Sequence, residues 1–361
     1  MIAARFDYIR GTFYVLILTL TAGCSHQTPH YNTLHGDTPL PNKVELISTP
    51  FFPQDRYQCG PAALATILTQ SDVITSPNDL KPYVYLPKRQ GTLAIDLIAT
   101  TRRYQRVPYL LEGKLSAIFT EIANGTSVLV MQNLGFSWFP QWHFAVVVGY
   151  DLDAKTVMLR SGEIKRHVIP ISTFQATWSR ARYWAMVAAK PNQIPITANP
   201  FSYTKAVHDL SKTHPDVALL AYRTALIKWP QEPLLWLALA NTLYQKNELK
   251  QSEQALVSGL THIKDLAQLS TRDIPQVSGR PQTATYAQLW NNYAFVLKAQ
   301  GCTLESIKAI QCAALIAPHN QDIQSSVLEL TTPTSKQALS KHCQLQPCPV
   351  NREQGMSSSG G

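Results

Sequence analysis

Cys59 and His143 are the residues of this sequence whose types could run nucleophilic chemistry together. Cys59 opens the run Cys59-Gly60-Pro61-Ala62-Ala63-Leu64-Ala65-Thr66-Ile67-Leu68, which reads as a helix with Pro61 in its first turn. A thiol attacks as thiolate, and the positive end of a helix with a neighbouring imidazolium favours that form. Taken alone, a cysteine at a helix start is more often a buried structural residue. Gln54, five residues upstream, changes the balance, because its amide could donate to the oxyanion of a tetrahedral intermediate; without the cysteine it would read as a loop glutamine capping a carbonyl. His143 opens the apolar strand His143-Phe144-Ala145-Val146-Val147-Val148-Gly149-Tyr150-Asp151 and so faces a rim, where it could take the thiol proton and later protonate a leaving amine. Beside Trp142 alone it would read equally well as an aromatic-packed surface residue. The aromatics Phe136, Trp138, Phe139, Trp142 and Phe144 either line a groove or cap the core, with the core role favoured.

The elements that must position this pair follow from the apolar patterns. Val44 to Ile47 reads as a first strand, and Leu93 to Tyr104 and Leu115 to Asn124 as helices after the one begun by Cys59. Ser127 to Met131, His143 to Gly149, Thr156 to Leu159, Lys165 to Ile169 and Tyr183 to Ala188 then read as strands, with Asp151-Leu152-Asp153 as a hairpin loop. Helices first and an antiparallel sheet afterwards predict an α+β domain of papain-like layout, with the cysteine on its helical side and the histidine on its sheet.

Gln54-x4-Cys59-Gly60-Pro61-Ala62-Ala63-Leu64, followed by the His143 to Asp151 strand, resembles the double-glycine, bacteriocin-leader-processing cysteine peptidases and especially their stand-alone relatives, over residues 43–190. The resemblance implies Cys59 as nucleophile, His143 as general base and acid, and Gln54 as oxyanion donor. The family places an aspartate after the next strand to orient the histidine, whereas this chain has Ser161 there, in Met158-Leu159-Arg160-Ser161-Gly162. A hydroxyl can accept from an imidazole but does not stabilise an imidazolium as a carboxylate does. Asp151, Asp153 and Glu163 are the substitutes to consider, although Asp151 and Asp153 better suit a turn.

Outside this region, Arg5 and Arg10, the apolar stretch from Gly11 to Thr21 and Ala22-Gly23 before Cys24 resemble a signal peptide (1–23) ending in a lipobox. Thr21 stands where leucine is usual, with Leu20 one place further back, which leaves ordinary signal-peptidase cleavage as the alternative. The expectation is lipidation at Cys24, a flexible tether over 24–42, and a periplasm-facing protein anchored in a bacterial envelope, the outer membrane favoured by Ser25. Scattered Lys and Arg behind a net charge of +9 argue against nucleic acid, and no ligand spacing points to a metal or cofactor. With Cys24 lipidated and Cys59 catalytic, sequence proximity pairs Cys302 with Cys312 and Cys343 with Cys348.

After a linker at 191–199, the stretch 200–330 is Ala/Leu-rich and helical. Ala218, Tyr222, Ala225 and Pro230, then Trp236, Leu239, Ala240, Leu243, Ser252, Leu256 and Gly259, then Trp290, Tyr293, Ala294, Leu297, Gly301, Ser306, Ile310, Ala313 and Pro318 follow the tetratricopeptide pattern, with an insertion around Thr261 to Pro281; the plainer alternative is an arbitrary array of helical hairpins. Residues 331–361 read as a disordered tail. Together these features predict a membrane-anchored cysteine peptidase acting on a peptide or protein substrate, with the repeats recruiting a protein partner; the same thiol acyl chemistry also suits a transpeptidase, amidase or deamidase. The alternative is a catalytically degenerate peptide-binding scaffold of the same build.

Overall fold

The computed structural model describes residues 40–54, 58–262, 276–277, 280–332 and 343–349. Residues 40–361 form one compact unit, and Cys24 and nearly all of the expected signal, tether and insertion lie outside the described residues.

The first part is α+β. A short strand β1 (Lys43–Glu45) leads to helices α1 (Cys59–Gln70), α2 (Pro77–Val84) and α3 (Ala94–Arg103), strand β2 (Val107–Leu110), helix α4 (Leu115–Ala123), strands β3 (Val128–Asn133), β4 (Trp142–Asp151), β5 (Thr156–Ser161) and β6 (Ile164–Pro170), helix α5 (Ile171–Ser179) and strand β7 (Ala185–Ala189). The strands form one antiparallel sheet in the order β2-β7-β3-β4-β5-β6, with β1 added beside β4. Helix α1 is apolar all round and buried from Gly60 to Leu68, the signature of a helix enclosed by its protein. Its Leu64, Ile67 and Leu68 pack with Leu80, Val84 and Leu97 of the next two helices against Leu129, Phe144, Val146, Val148 and Met186 of the sheet.

Three elements depart from the predicted order. β2 interrupts the helical half because Val107, Pro108 and Tyr109 pair with β7, at an edge where a proline's missing donor is tolerated. α2 holds Pro82 and only two buried apolar residues, so its sequence shows little periodicity; a capping box of Ser76 and Asp79 starts it. α5 follows β6 directly at Pro170, leaving no turn signal between them.

The second part is helical apart from one small antiparallel pair, β8 (Gln276–Val277) with β9 (Arg280–Pro281). Helices α6 (Pro200–Ser211), α7 (Pro215–Lys228), α8 (Pro233–Gln245), α9 (Leu249–His262), α10 (Gln282–Ala299), α11 (Thr303–Ile316) and α12 (Gln321–Thr331) pack mainly with their neighbours in sequence. Small residues set the closest approaches. A Cβ at Gly259 would come within 2.8 Å of the Trp236 Cβ, and buried Ser252 donates to the Ala240 carbonyl at 2.8 Å. The stretch 191–199 is tied to the first part: Thr197 donates from its backbone N and its hydroxyl to Glu121 Oε1 (3.0 and 2.6 Å), and Asn199 N donates to the Tyr109 hydroxyl at 3.3 Å.

The disulfides differ from the expected pairing. Cys302 bonds Cys343 and Cys312 bonds Cys348. Cys302 caps α11 and Cys312 lies ten residues along it, so they stand ~15 Å apart at 1.5 Å per residue, beyond the reach of a disulfide. Both bonds fasten residues 343–349, part of the expected tail, onto this helical pair, where the Tyr293 hydroxyl also donates to the Gln344 carbonyl. Non-reducing peptide mapping should therefore recover the 302–343 and 312–348 cross-links. Replacing Cys343 and Cys348 by Ala should lower unfolding stability by about 2–4 kcal/mol per lost bond in a denaturant titration.

Candidate active site

Four chain segments meet at one end of the sheet, where β3 and β5 finish and β4 and β6 begin. Cys59 is the first residue of α1, and its thiol faces the backbone N–H groups of Phe144 on β4, of Gly60 and of Cys59 itself. Gly60 makes this approach possible. A Cβ there would lie 2.3 Å from the Thr92 hydroxyl, so no larger residue fits without moving the start of α1 or the segment before α3.

His143 precedes the residue that meets the thiol. Its ring Nε2 lies 2.8 Å from the Ser161 hydroxyl, across to the end of β5, so that Nδ1 is the ring nitrogen left for other chemistry. The tautomer that accepts at Nδ1 carries its proton on Nε2 and donates it to Ser161. Gln54 joins through the backbone: its N–H donates to the carbonyl of Gly162 (3.3 Å), the residue after Ser161. Arg160 holds the same corner from within. It is 4% exposed, and its guanidinium donates to the carbonyl oxygens of Lys165 (2.6 Å), Ile47 (3.3 Å) and Thr49 (3.4 Å), lashing the β5–β6 hairpin to the chain that leads to Gln54. The sequence reading passed over Arg160. An arginine amid apolar strand residues, Val157-Met158-Leu159-Arg160, was the available signal.

Asp151 is not brought to the site. It stands at the other end of β4, eight residues or ~26 Å from His143, where it pairs with Lys43 (2.9 Å) and accepts from Ala154 N (2.9 Å). Those contacts hold its carboxyl below the usual range, the Ala154 N–H contributing most. Asp153 accepts from the Asn42 amide, and Glu163 is exposed on the β5–β6 turn. Of the named candidates, Ser161 is the one in contact with the imidazole. The aromatic cluster is also corrected: Phe144 is in the core, but Phe136, Trp138 and Phe139 are exposed on the β3–β4 loop and Trp142 at the exposed start of β4.

Burial decides the charge state. It pushes the Cys59 thiol above its ordinary 9.0, outweighing the three N–H groups that favour the thiolate. It pushes His143 down from 6.5 to about 4, with the charge of nearby His167 acting in the same direction. At neutral pH the thiol is therefore protonated and the imidazole is neutral, the forms from which a general base removes a proton as the sulfur attacks. Among the described residues no cluster of His, Cys, Asp and Glu is suited to hold a metal ion, and no helix is long and apolar enough to cross a membrane.

Residues 43–186 match the Peptidase_C39 like family. Two solved structures are similar to this chain: one described as a C39-like peptidase from Bacillus anthracis, 16% identical over 41% of this chain and 98% of that one (TM-score 0.35), and the peptidase domain of Streptococcus ComA, a bi-functional ABC transporter involved in a quorum sensing pathway, 18% identical over 39% and 98% (TM-score 0.33). No curated protein matches the chain. The antiparallel sheet with its helices fits a C39-like α+β peptidase domain, and the family supports a function of the cysteine peptidase type.

The missing carboxylate gives a direct test. Ser161→Asp should raise the His143 pKa and enlarge the thiolate fraction. Iodoacetamide labelling of Cys59 in the unsubstituted chain should be slow at pH 7 and accelerate only above pH 9, with the curve of the Ser161→Asp variant displaced to lower pH, read by mass spectrometry.

Proposed function

We propose that the chain is a cysteine peptidase that cleaves peptide or protein amide bonds. The observation that carries this reading is the meeting of the Cys59 thiol with the start of β4, next to a histidine held by a neighbouring hydroxyl. Neutral His143 takes the Cys59 proton as the sulfur adds to the carbonyl carbon. The oxyanion is held by the Cys59 N–H at the start of α1 and by the Gln54 amide. His143 returns the proton to the leaving amine, and water, deprotonated by the same imidazole, then releases the acid from the thioester. Ser161 orients the ring but adds no negative charge. The base therefore stays weak but remains unprotonated down to mildly acidic pH.

The rest of the chain serves this centre by placing it. In this proposal Cys24 is acylated and holds the protein at a bacterial envelope membrane facing the periplasm. The helical pairs are tetratricopeptide-type repeats that recruit a protein partner. Two disulfides in the described helical part accord with an oxidising compartment. A second reading, a peptide-binding scaffold without turnover, draws on the hydroxyl that stands where a carboxylate would strengthen the base.

Incubation with a proteome-derived peptide library, followed by mass spectrometry of new termini, separates the two readings. Cleavage should be lost in Cys59→Ala and fall by at least a hundredfold in His143→Ala, with the acid limb of kcat/KM governed by a group of pKa about 4. Retained peptide binding with no new termini would favour the scaffold. For the anchor, Cys24→Ala should abolish the acylated mass of the protein expressed in a bacterial envelope.

A further inference from the structure

The β3–β4 loop and the first residue of β4 hold a group of large apolar side chains in solvent. Leu134, Phe136, Trp138, Phe139 and Trp142 are 51%, 65%, 82%, 62% and 54% exposed, with Trp138 at the tip the most exposed. Soluble surfaces rarely gather so much apolar area in one place. The arrangement is built. Asn133, 2% exposed, accepts from Gly135 N (3.0 Å) and Gln141 N (2.9 Å) and donates to the Phe136 carbonyl (3.3 Å). Phe136 and Phe139 exchange backbone hydrogen bonds, and Arg180 clamps the Asn133 carbonyl from α5 at 3.0 and 3.2 Å. A Cβ at Gly135 would fall 2.4 Å from the Phe139 carbonyl, so the loop needs glycine there. On this frame the Phe136 and Trp138 rings stack at 5.5 Å, with Phe139 beside them.

We propose that this loop docks the protein on a lipid bilayer, inserting Phe136, Trp138 and Phe139 at the headgroup level and turning the mouth of the candidate site toward the membrane surface. Three observations favour a bilayer over a peptide as the occupant. The aromatic residues are all more than half exposed, whereas a groove wall would be shielded by its opposite side. The nine residues 134–142 carry no charge, and Trp and Phe are the side chains that settle at a membrane interface. The chain before the fold also allows the pose. β1 starts opposite Asp151, at the far end of β4 from Trp142, a strand length of ~33 Å, and residues 25–39 can extend ~50 Å, so an acyl group on Cys24 and the loop can reach one surface together. This last point rests on the proposed lipidation; the loop itself does not.

The test uses the chain from Ser25 onward, with no acyl group, mixed with vesicles of phosphatidylethanolamine and phosphatidylglycerol. Co-sedimentation should persist in 0.5 M NaCl, because apolar insertion is not screened as charge attraction is. It should weaken at least tenfold in Trp138→Ser/Phe139→Ser, while Cys59 labelling stays unchanged as the check on folding. A single Trp138→Phe change should retain binding and remove the fluorescence that brominated acyl chains quench. Absence of co-sedimentation, or equal binding by the double variant, would overturn the proposal. Equal vesicle binding with lost peptide cleavage would assign the loop to the substrate instead.

Discussion

Everything at the candidate site depends on one close approach, that of the N-terminus of α1 to the first residues of β4. The chain can make it because Gly60 has no Cβ to strike Thr92, and because the remainder of α1 is apolar on every side and is drawn into the core. Core burial thus supplies the free energy that brings a thiol against the Phe144 N–H. The same burial sets the chemistry. It disfavours both charged forms, and among the described residues Ser161, which brings no negative charge, is the hydrogen-bond partner of the His143 ring. In the proposed function Cys59 and His143 act as a neutral pair in an apolar setting, nearer in logic to a hydroxyl nucleophile with its base than to a preformed thiolate–imidazolium pair.

A second constraint is the Arg160 guanidinium. Buried Arg160 spends its terminal guanidinium donors on backbone carbonyls from two segments, Ile47 to Thr49 and the β5–β6 hairpin, while its buried Nε has no partner among the described residues. Glu45, paired with Arg166 at 2.8 Å, adds the nearby negative charge. This arrangement fixes the chain that carries Gln54 relative to the turn that carries Ser161, through groups that touch no substrate.

Much of this was legible in the residues. The apolar run from Phe144 to Val148 announced a strand through the core, and Cys59-Gly60-Pro61 announced a helix start, because both are local patterns with a fixed period or a fixed cap. Ser161 was named through the family resemblance, which places the partner of the histidine after the next strand, and the structure puts its hydroxyl on the ring nitrogen. What could not be read was long-range. Arg160 finds acceptors more than a hundred residues away, and the disulfides join α11 to a segment beyond α12 because a helix keeps Cys302 and Cys312 apart. Asp151 was close to His143 in sequence yet lies a strand length away, since an extended chain separates what a loop would bring together. The aromatic residues misled in the same way: apolar character suggests burial, while the Asn133 frame holds them outward.

The most direct test of the account is to trap the acyl-enzyme. The protein would be mixed with a series of peptide thioesters, quenched in acid within milliseconds and digested, and the peptide bearing Cys59 weighed. The account predicts a hydroxylamine-labile acyl mass on Cys59 that forms in the unsubstituted chain and fails to accumulate in His143→Ala. Saturable peptide binding with no acyl mass on Cys59 at any pH would contradict it and leave a site that holds peptides without cutting them.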